Sequence, residues 1–171
     1  MFVRTVCLIA GLMLPAAALA APQINDAQIA HIAYTAGTID IDAAKLALKK
    51  SHDPKIRAFA EDMARDHKAV NDKALALLGK LKVTPEDNAT SQALKTAADA
   101  KLKTLQGLDG AAFDKAYVDN EVAYHKTVNG ALRDTLIPNA QNADLKSLLQ
   151  TGLKLFEAHQ AHAEMVDGEL H

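Results

Sequence analysis

From Ile56 to Leu81 the chain sets an apolar side chain every three or four residues, through Phe59, Ala60, Met63, Val70, Ala74 and Leu77. A seam of this period belongs to an amphipathic helix that buries one face against other helices. At its centre the periodic position is His67 rather than a leucine. The same substitution recurs on two later stripes as His125 and His159, and Asp40 and Glu121 fall on or beside such stripes. Burying an unpaired polar side chain costs about 2–7 kcal/mol. Polar residues converging on one core must therefore be paired with one another or bound to something.

The neighbouring segments repeat the helical pattern. Ile29, Ile32, Ala36, Ile39, Ala43 and Leu46 make one face of a helix over about 24–50, with Asp40 at its edge and His31 and Asp42 turned away. Ser51-His52-Asp53-Pro54 breaks the chain and restarts it, since Asp53 suits an N-cap and Pro54 is preset for a first helical position. Thr84-Pro85 is expected to end the second helix. A shorter helix is expected over about 86–105, with Ala93, Leu94, Ala97, Ala98, Leu102 and Leu105 inward. The third long helix is read over about 110–137, from Phe113 and Tyr117 to Leu132 and Leu136, with Pro138 as its stop. The fourth is read over about 142–168, capped by Asn142, with Leu145, Leu149, Gly152, Phe156, Ala163 and Val166 inward. Tight turns join the first two and the last two long helices, whereas about 28 residues with their own helix join the pairs. One long crossover among short loops is the ferritin-like connection. The expected fold is all-α: a ferritin-like antiparallel four-helix bundle with a short extra helix in the crossover between helices 2 and 3.

The N-terminus reads as an address. Arg4, an apolar run over Thr5–Ala17 and the small-x-small triplet Ala18-Leu19-Ala20 make a signal peptide over residues 1–20, leaving 171 − 20 = 151 residues as a single domain over 21–171. The lone cysteine, Cys7, would leave with it, so disulfides and thiolate ligands are excluded from the mature chain. A periplasmic or secreted protein is expected, with no membrane span after cleavage. Loss of Arg4 takes the net charge from −2 to −3, and no run of basic residues offers a nucleic-acid surface.

Specific segments carry a resemblance. Asp53-Pro54-Lys55-Ile56-Arg57-Ala58-Phe59-Ala60 through Met63, Asp66-His67 and Asn71 form one match, and Phe113-Asp114-Lys115-Ala116-Tyr117 followed by His125 forms a second. A weaker one covers the first helix around Asp40. On these residues the chain resembles the bacterial secreted family known as domain of unknown function 4142. The resemblance implies a ferritin-like bundle in the cell envelope and no established activity.

Di-iron bundles of the ferritin type take a glutamate from each of two helices and a Glu-x-x-His from each of the other two. In helix order, Asp40, His67, Glu121 and His159 correspond to part of that set, but Ala64 and Phe156 stand where the bridging glutamates would be. The remainder suits a single divalent ion, Zn²⁺, Cu²⁺, Mn²⁺ or Fe²⁺, held by His67, His125 and His159 with Asp40 and Glu121 as carboxylate ligands or orienting groups. At 1.5 Å rise per residue, Asp40 and His67 sit at nearly one height in the first hairpin, as do Glu121 and His159 in the second. The offset between hairpins is open. Two other readings stand beside the metal site: a metal-free polar core that sets helix register in a structural or interaction module, and a redox or peroxide-handling enzyme at the same residues. No nucleophile elbow or phosphate-binding loop is present, and no reaction is specified. Asp66 is read as a surface partner of Arg65, His162 as a flank residue, and His31, His52 and His171 as solvated. Met63 is read as packing.

Overall fold

The computed structural model describes residues 24–170, so the leader expected over residues 1–20, with Cys7, and also His171 lie outside the described residues. α1 (Asp26–Lys50) opens with a reciprocal cap, in which Asn25 accepts from the Gln28 N–H and the Gln28 side chain accepts from the Asn25 N–H. Asp53 caps α2 (Pro54–Leu81) by accepting from the N–H groups of Lys55 and Ile56, with Pro54 in the first turn where no N–H is needed. α2 stops earlier than Thr84-Pro85 because Lys82 takes the left-handed conformation, φ 55°. α3 (Ala89–Gln106) is capped by Asn88. Of its expected inward face only Leu105 is buried, while Ala93 and Ala97 are exposed, because α3 lies on the outside of α1 and α4.

α4 (Gly110–Ala131) departs most from expectation. It continues through a π-helical stretch (Leu132–Leu136) into α5 (Ile137–Asn139), so the helical path passes Pro138 instead of stopping before it. Proline has no N–H and its ring crowds the carbonyl four residues back. The chain answers by widening one turn, and the Ile137 N–H bonds to the Leu132 carbonyl, five residues back. Asn142 then caps α6 (Ala143–Glu169) through the Leu145 N–H.

Among the described residues there is no strand, and the architecture is the expected ferritin-like four-helix bundle with a crossover helix. Each long helix packs on two others, in the order α1–α2–α6–α4 and back to α1. The buried apolar residues form two clusters. One gathers Ala43, Ile56, Phe59, Met63, Phe113, Tyr117, Val118 and Ala163 at one end. The other gathers Ile29, Ala36, Leu78, Val128, Leu132, Leu149 and Phe156 at the opposite end. Between them, on all four helices, lie the buried polar residues Asp40, His67, Glu121, His125 and His159.

Side chains that donate to carbonyls of neighbouring helices set the rotation of each helix in this frame. Tyr124 Oη bonds to the Ala36 carbonyl at 2.8 Å, and Asn129 Nδ2 to the Phe156 carbonyl at 3.2 Å. Asn71 Nδ2 reaches the Tyr34 carbonyl and Thr38 Oγ1, both at 3.3 Å. Gly37 makes room for that amide, since a Cβ there would lie 2.9 Å from Asn71 Cγ and nearer still to Oδ1. Gly37→Ala is therefore expected to destabilise the fold by about 1–3 kcal/mol, despite alanine's better helix propensity. Urea melts at neutral pH check this, and Asn71→Ala in the same background should recover part of the loss.

Candidate metal centre

Four helices each deliver polar groups to the layer, because one position of each apolar stripe is occupied by histidine, aspartate or glutamate. Asp40 comes from α1, His67 from α2, Glu121 and His125 from α4, and His159 from α6. All five are buried, none more than 5% exposed. They form two overlapping triads that share His125. In one, ligand atoms of His67, His125 and His159 lie within 4.8 Å of one another, and in the other those of Asp40, Glu121 and His125 do so.

The distances around the shared histidine are nearly equal. His67 Nε2 lies 3.4 Å from His125 Nε2, and Asp40 Oδ2 lies 3.5 and 3.6 Å from those two nitrogens. The contacts to Asp40 are long for hydrogen bonds. Among the described residues no N–H donates to either oxygen of Asp40, which is 1% exposed. His159 completes the group, its ring centroid 5.2 Å from that of His67 and 5.6 Å from that of His125.

For His125 and His159, hydrogen bonds at the periphery fix which ring nitrogen keeps the lone pair. His125 Nδ1 lies 3.0 Å from the Glu121 carbonyl, which can only accept, so Nδ1 carries the proton and Nε2 the lone pair. His159 Nε2 lies 3.1 Å from Asp66 Oδ2. That carboxylate accepts from Nε2–H and leaves the lone pair on Nδ1, which is buried and without a partner. Asp66 is anchored in turn by Arg65 Nε at 2.8 Å. Phe156 stacks flat on His67, with centroids 4.3 Å apart and planes 4° apart. An aromatic face thus fills the position where a ferritin-type site would place a bridging glutamate.

Electrostatics keep the imidazoles neutral. Burial holds His67 well below the usual histidine range, helped by the charges that His125 and His159 would carry. Burial lowers His125 to about 4 against the raising effect of the Glu121 carbonyl. His159 is also lowered by burial, with Asp66 opposing. Asp66 is held below its ordinary value, chiefly by Arg65. The carboxyls move the other way. Burial and then the Asp40 charge push Glu121 well up, whereas Asp40 rises through burial only to about 7, its anion being favoured by a proton on Glu121. Burial thus works against charge on both carboxyls, and within the pair the anion is favoured on Asp40. Neutral imidazoles beside an ionisable carboxylate are the protonation states in which such groups bind a metal.

The remaining residues fall elsewhere. Asp66 keeps its expected pairing with Arg65 but also reaches His159, a role that spacing on a flank position does not reveal. His162 is half-buried, edge-on to Phe59 at 5.1 Å. His52 is exposed, and His31 is half-buried with Nδ1 3.7 Å from Asp87 rather than solvated. Met63 lies buried in the apolar cluster one turn before His67.

The family model described as "domain of unknown function (DUF4142)" matches residues 12–166. No curated protein is significantly similar to the chain. Among solved structures, a DUF305 protein from Streptomyces coelicolor superposes with TM-score 0.72 at 14% identity, covering 85% of this chain and 93% of that one. A DUF305 fragment from Deinococcus radiodurans gives TM-score 0.71 at 14% identity, covering 86% and 99%. CopM, solved in its Cu(II)-bound form, gives TM-score 0.66 at 13% identity, covering 88% and 100%. At such identities the likeness is one of fold.

Proposed function

The chain belongs to the DUF4142 family, and from the geometry of its own residues we propose that it binds one divalent transition-metal ion in the middle of the bundle. One observation carries the reading. His67 Nε2, His125 Nε2 and Asp40 Oδ2 form a triangle with edges of 3.4, 3.5 and 3.6 Å. A point equidistant from corners so spaced lies roughly 2.0 Å from each, the length of a bond from zinc to nitrogen or carboxylate oxygen. His159 supplies a further nitrogen, and a carboxyl oxygen of Glu121 lies within 4.8 Å of the ligand atoms of Asp40 and His125. Asp66 on His159 and the Glu121 carbonyl on His125 act as the outer partners that fix imidazole tautomers in metal sites.

Imidazoles with a single carboxylate suit Cu²⁺ or Zn²⁺ better than Mn²⁺. Cu²⁺ is the first ion to test, since a protein of the same fold was solved with Cu(II). The leader expected over residues 1–20 supports a secreted or periplasmic location. Among the described residues, no helix is long and apolar enough to cross a membrane. A second reading, a metal-free layer that fixes helix register, is favoured by the hydrogen bonds His125 and His159 already make. It leaves both oxygens of Asp40 without an N–H donor.

Metal titration separates the two. Mature protein purified without chelator should take up about one Cu²⁺ or Zn²⁺ per chain and melt at higher temperature when loaded. At 100-fold excess over Kd the gain is about 2.7 kcal/mol. Metal analysis showing no uptake, together with melting unmoved by Cu²⁺, Zn²⁺, Mn²⁺ or EDTA, leaves only the register reading.

A further inference from the structure

The apolar half of the bundle on one side of the histidines is not filled. A cavity of about 60 Å³ lies between α1, α2, α4 and α6, with His67 and His125 among its walls. Leu132 and Leu136 of the widened π turn also line it, as do Ala74 and Gly152. Gly152 has no evident reason to be glycine other than the space. A Cβ there would meet Phe156 at 3.5 Å and Val70 at 3.9 Å, which is ordinary contact, and nothing in the backbone requires the residue. Glycine in a helix interior costs about 1 kcal/mol relative to alanine. Gly37, by contrast, is explained by Asn71.

The cavity is also unsuited to water. Three of its five polar lining residues, Asn71, Tyr124 and Thr127, already donate to backbone carbonyls. A buried water needs two to four polar partners, whereas apolar cavities stay dry and take nonpolar guests. An engineered cavity of about 150 Å³ accepts benzene or xenon. A space of about 60 Å³ is too small for a ring and large enough for one xenon atom or a diatomic. We infer that this cavity binds a small nonpolar molecule of the size of dioxygen, beside His67 and His125. The inference needs no metal, so it goes beyond the proposed metal site and can fail independently of it.

Xenon is the probe. In metal-free mature protein kept in chelator, xenon NMR should show saturable binding, and crystals under xenon pressure should show one site beside Leu132, Phe156 and His67. Gly152→Leu should abolish that binding while far-UV circular dichroism stays unchanged. Ala74→Leu fills the space from another wall and supplies the same comparison should Gly152→Leu not fold. No saturable binding in the unmodified protein, ordered water in the cavity, or binding retained in the folded variants would each overturn the inference.

Discussion

His125→Leu is expected to lower the affinity for Cu²⁺ by roughly 100-fold or more, about 2.7 kcal/mol, and to remove the metal-dependent rise in melting temperature. His125 is the residue that both buried triads share, and its Nε2 faces both His67 and Asp40. No neighbouring side chain can replace that nitrogen. Without metal the variant should be as stable as the unmodified protein or more so, because leucine removes a buried imidazole from between two apolar clusters. The Glu121 carbonyl loses only a supplementary donor. Competition titration with a colorimetric chelator and melting curves in EDTA supply both readings. An affinity within about 3-fold of the original, less than 1 kcal/mol, would remove His125 from the ligand set.

The second large effect is on pH dependence without metal. Asp40 rises from 3.8 to about 7 in the fold. A carboxyl raised in this way favours the folded state while protonated, so its contribution is complete below about pH 4 and lost as pH rises through 7. The histidines run oppositely. They are lowered from 6.5, His125 to about 4, so their contribution is complete above pH 6.5 and lost as pH falls toward 4. The two limbs partly cancel between pH 4 and 7. Asp40→Asn removes Asp40's share of the alkaline limb, leaving that of Glu121, keeps the side-chain shape, and its amide can donate to the bare Nε2 of His125. In chelator the variant should gain on the unmodified protein steadily from pH 4 to 7, reaching on the order of a few kcal/mol. Urea midpoints at five pH values would show it, and parallel profiles would refute the placement of the charge on Asp40. Loaded with metal, the unmodified protein should lose Asp40's part of the alkaline limb, since the ion displaces the Asp40 proton.

Much of this bundle is legible in the chain because helical rules are local. Asp53-Pro54 and Asn142 announce two helix starts by side-chain capping, and both caps form as the residues predict. The stripe through Ile56, Met63 and His67 sets the rotation of α2 and directs His67 inward. Local rules fail at Pro138, where the absent N–H predicts a stop and the backbone instead widens into a π turn supported by packing of Leu132 and Leu136. They fail again at α3, whose periodic face is only partly covered, with Ala93 and Ala97 left exposed. Asp66 escapes notice because a flank position is exposed or half-buried according to the neighbouring helix, and here that helix brings His159.

The order of residues alone implies that each of four helices carries polar residues on its buried face, and at which height within each hairpin. Periodicity fixes rotation, the constant rise fixes height, and short turns at 51–53 and 140–142 tie each pair. That the two hairpins bring those residues to one level is a property of the packed bundle. The crossover over 82–109 is long enough to permit many offsets, so it constrains none. The choice falls to the two apolar clusters, which interlock above and below and leave Asp40, His67, Glu121, His125 and His159 the one layer between them.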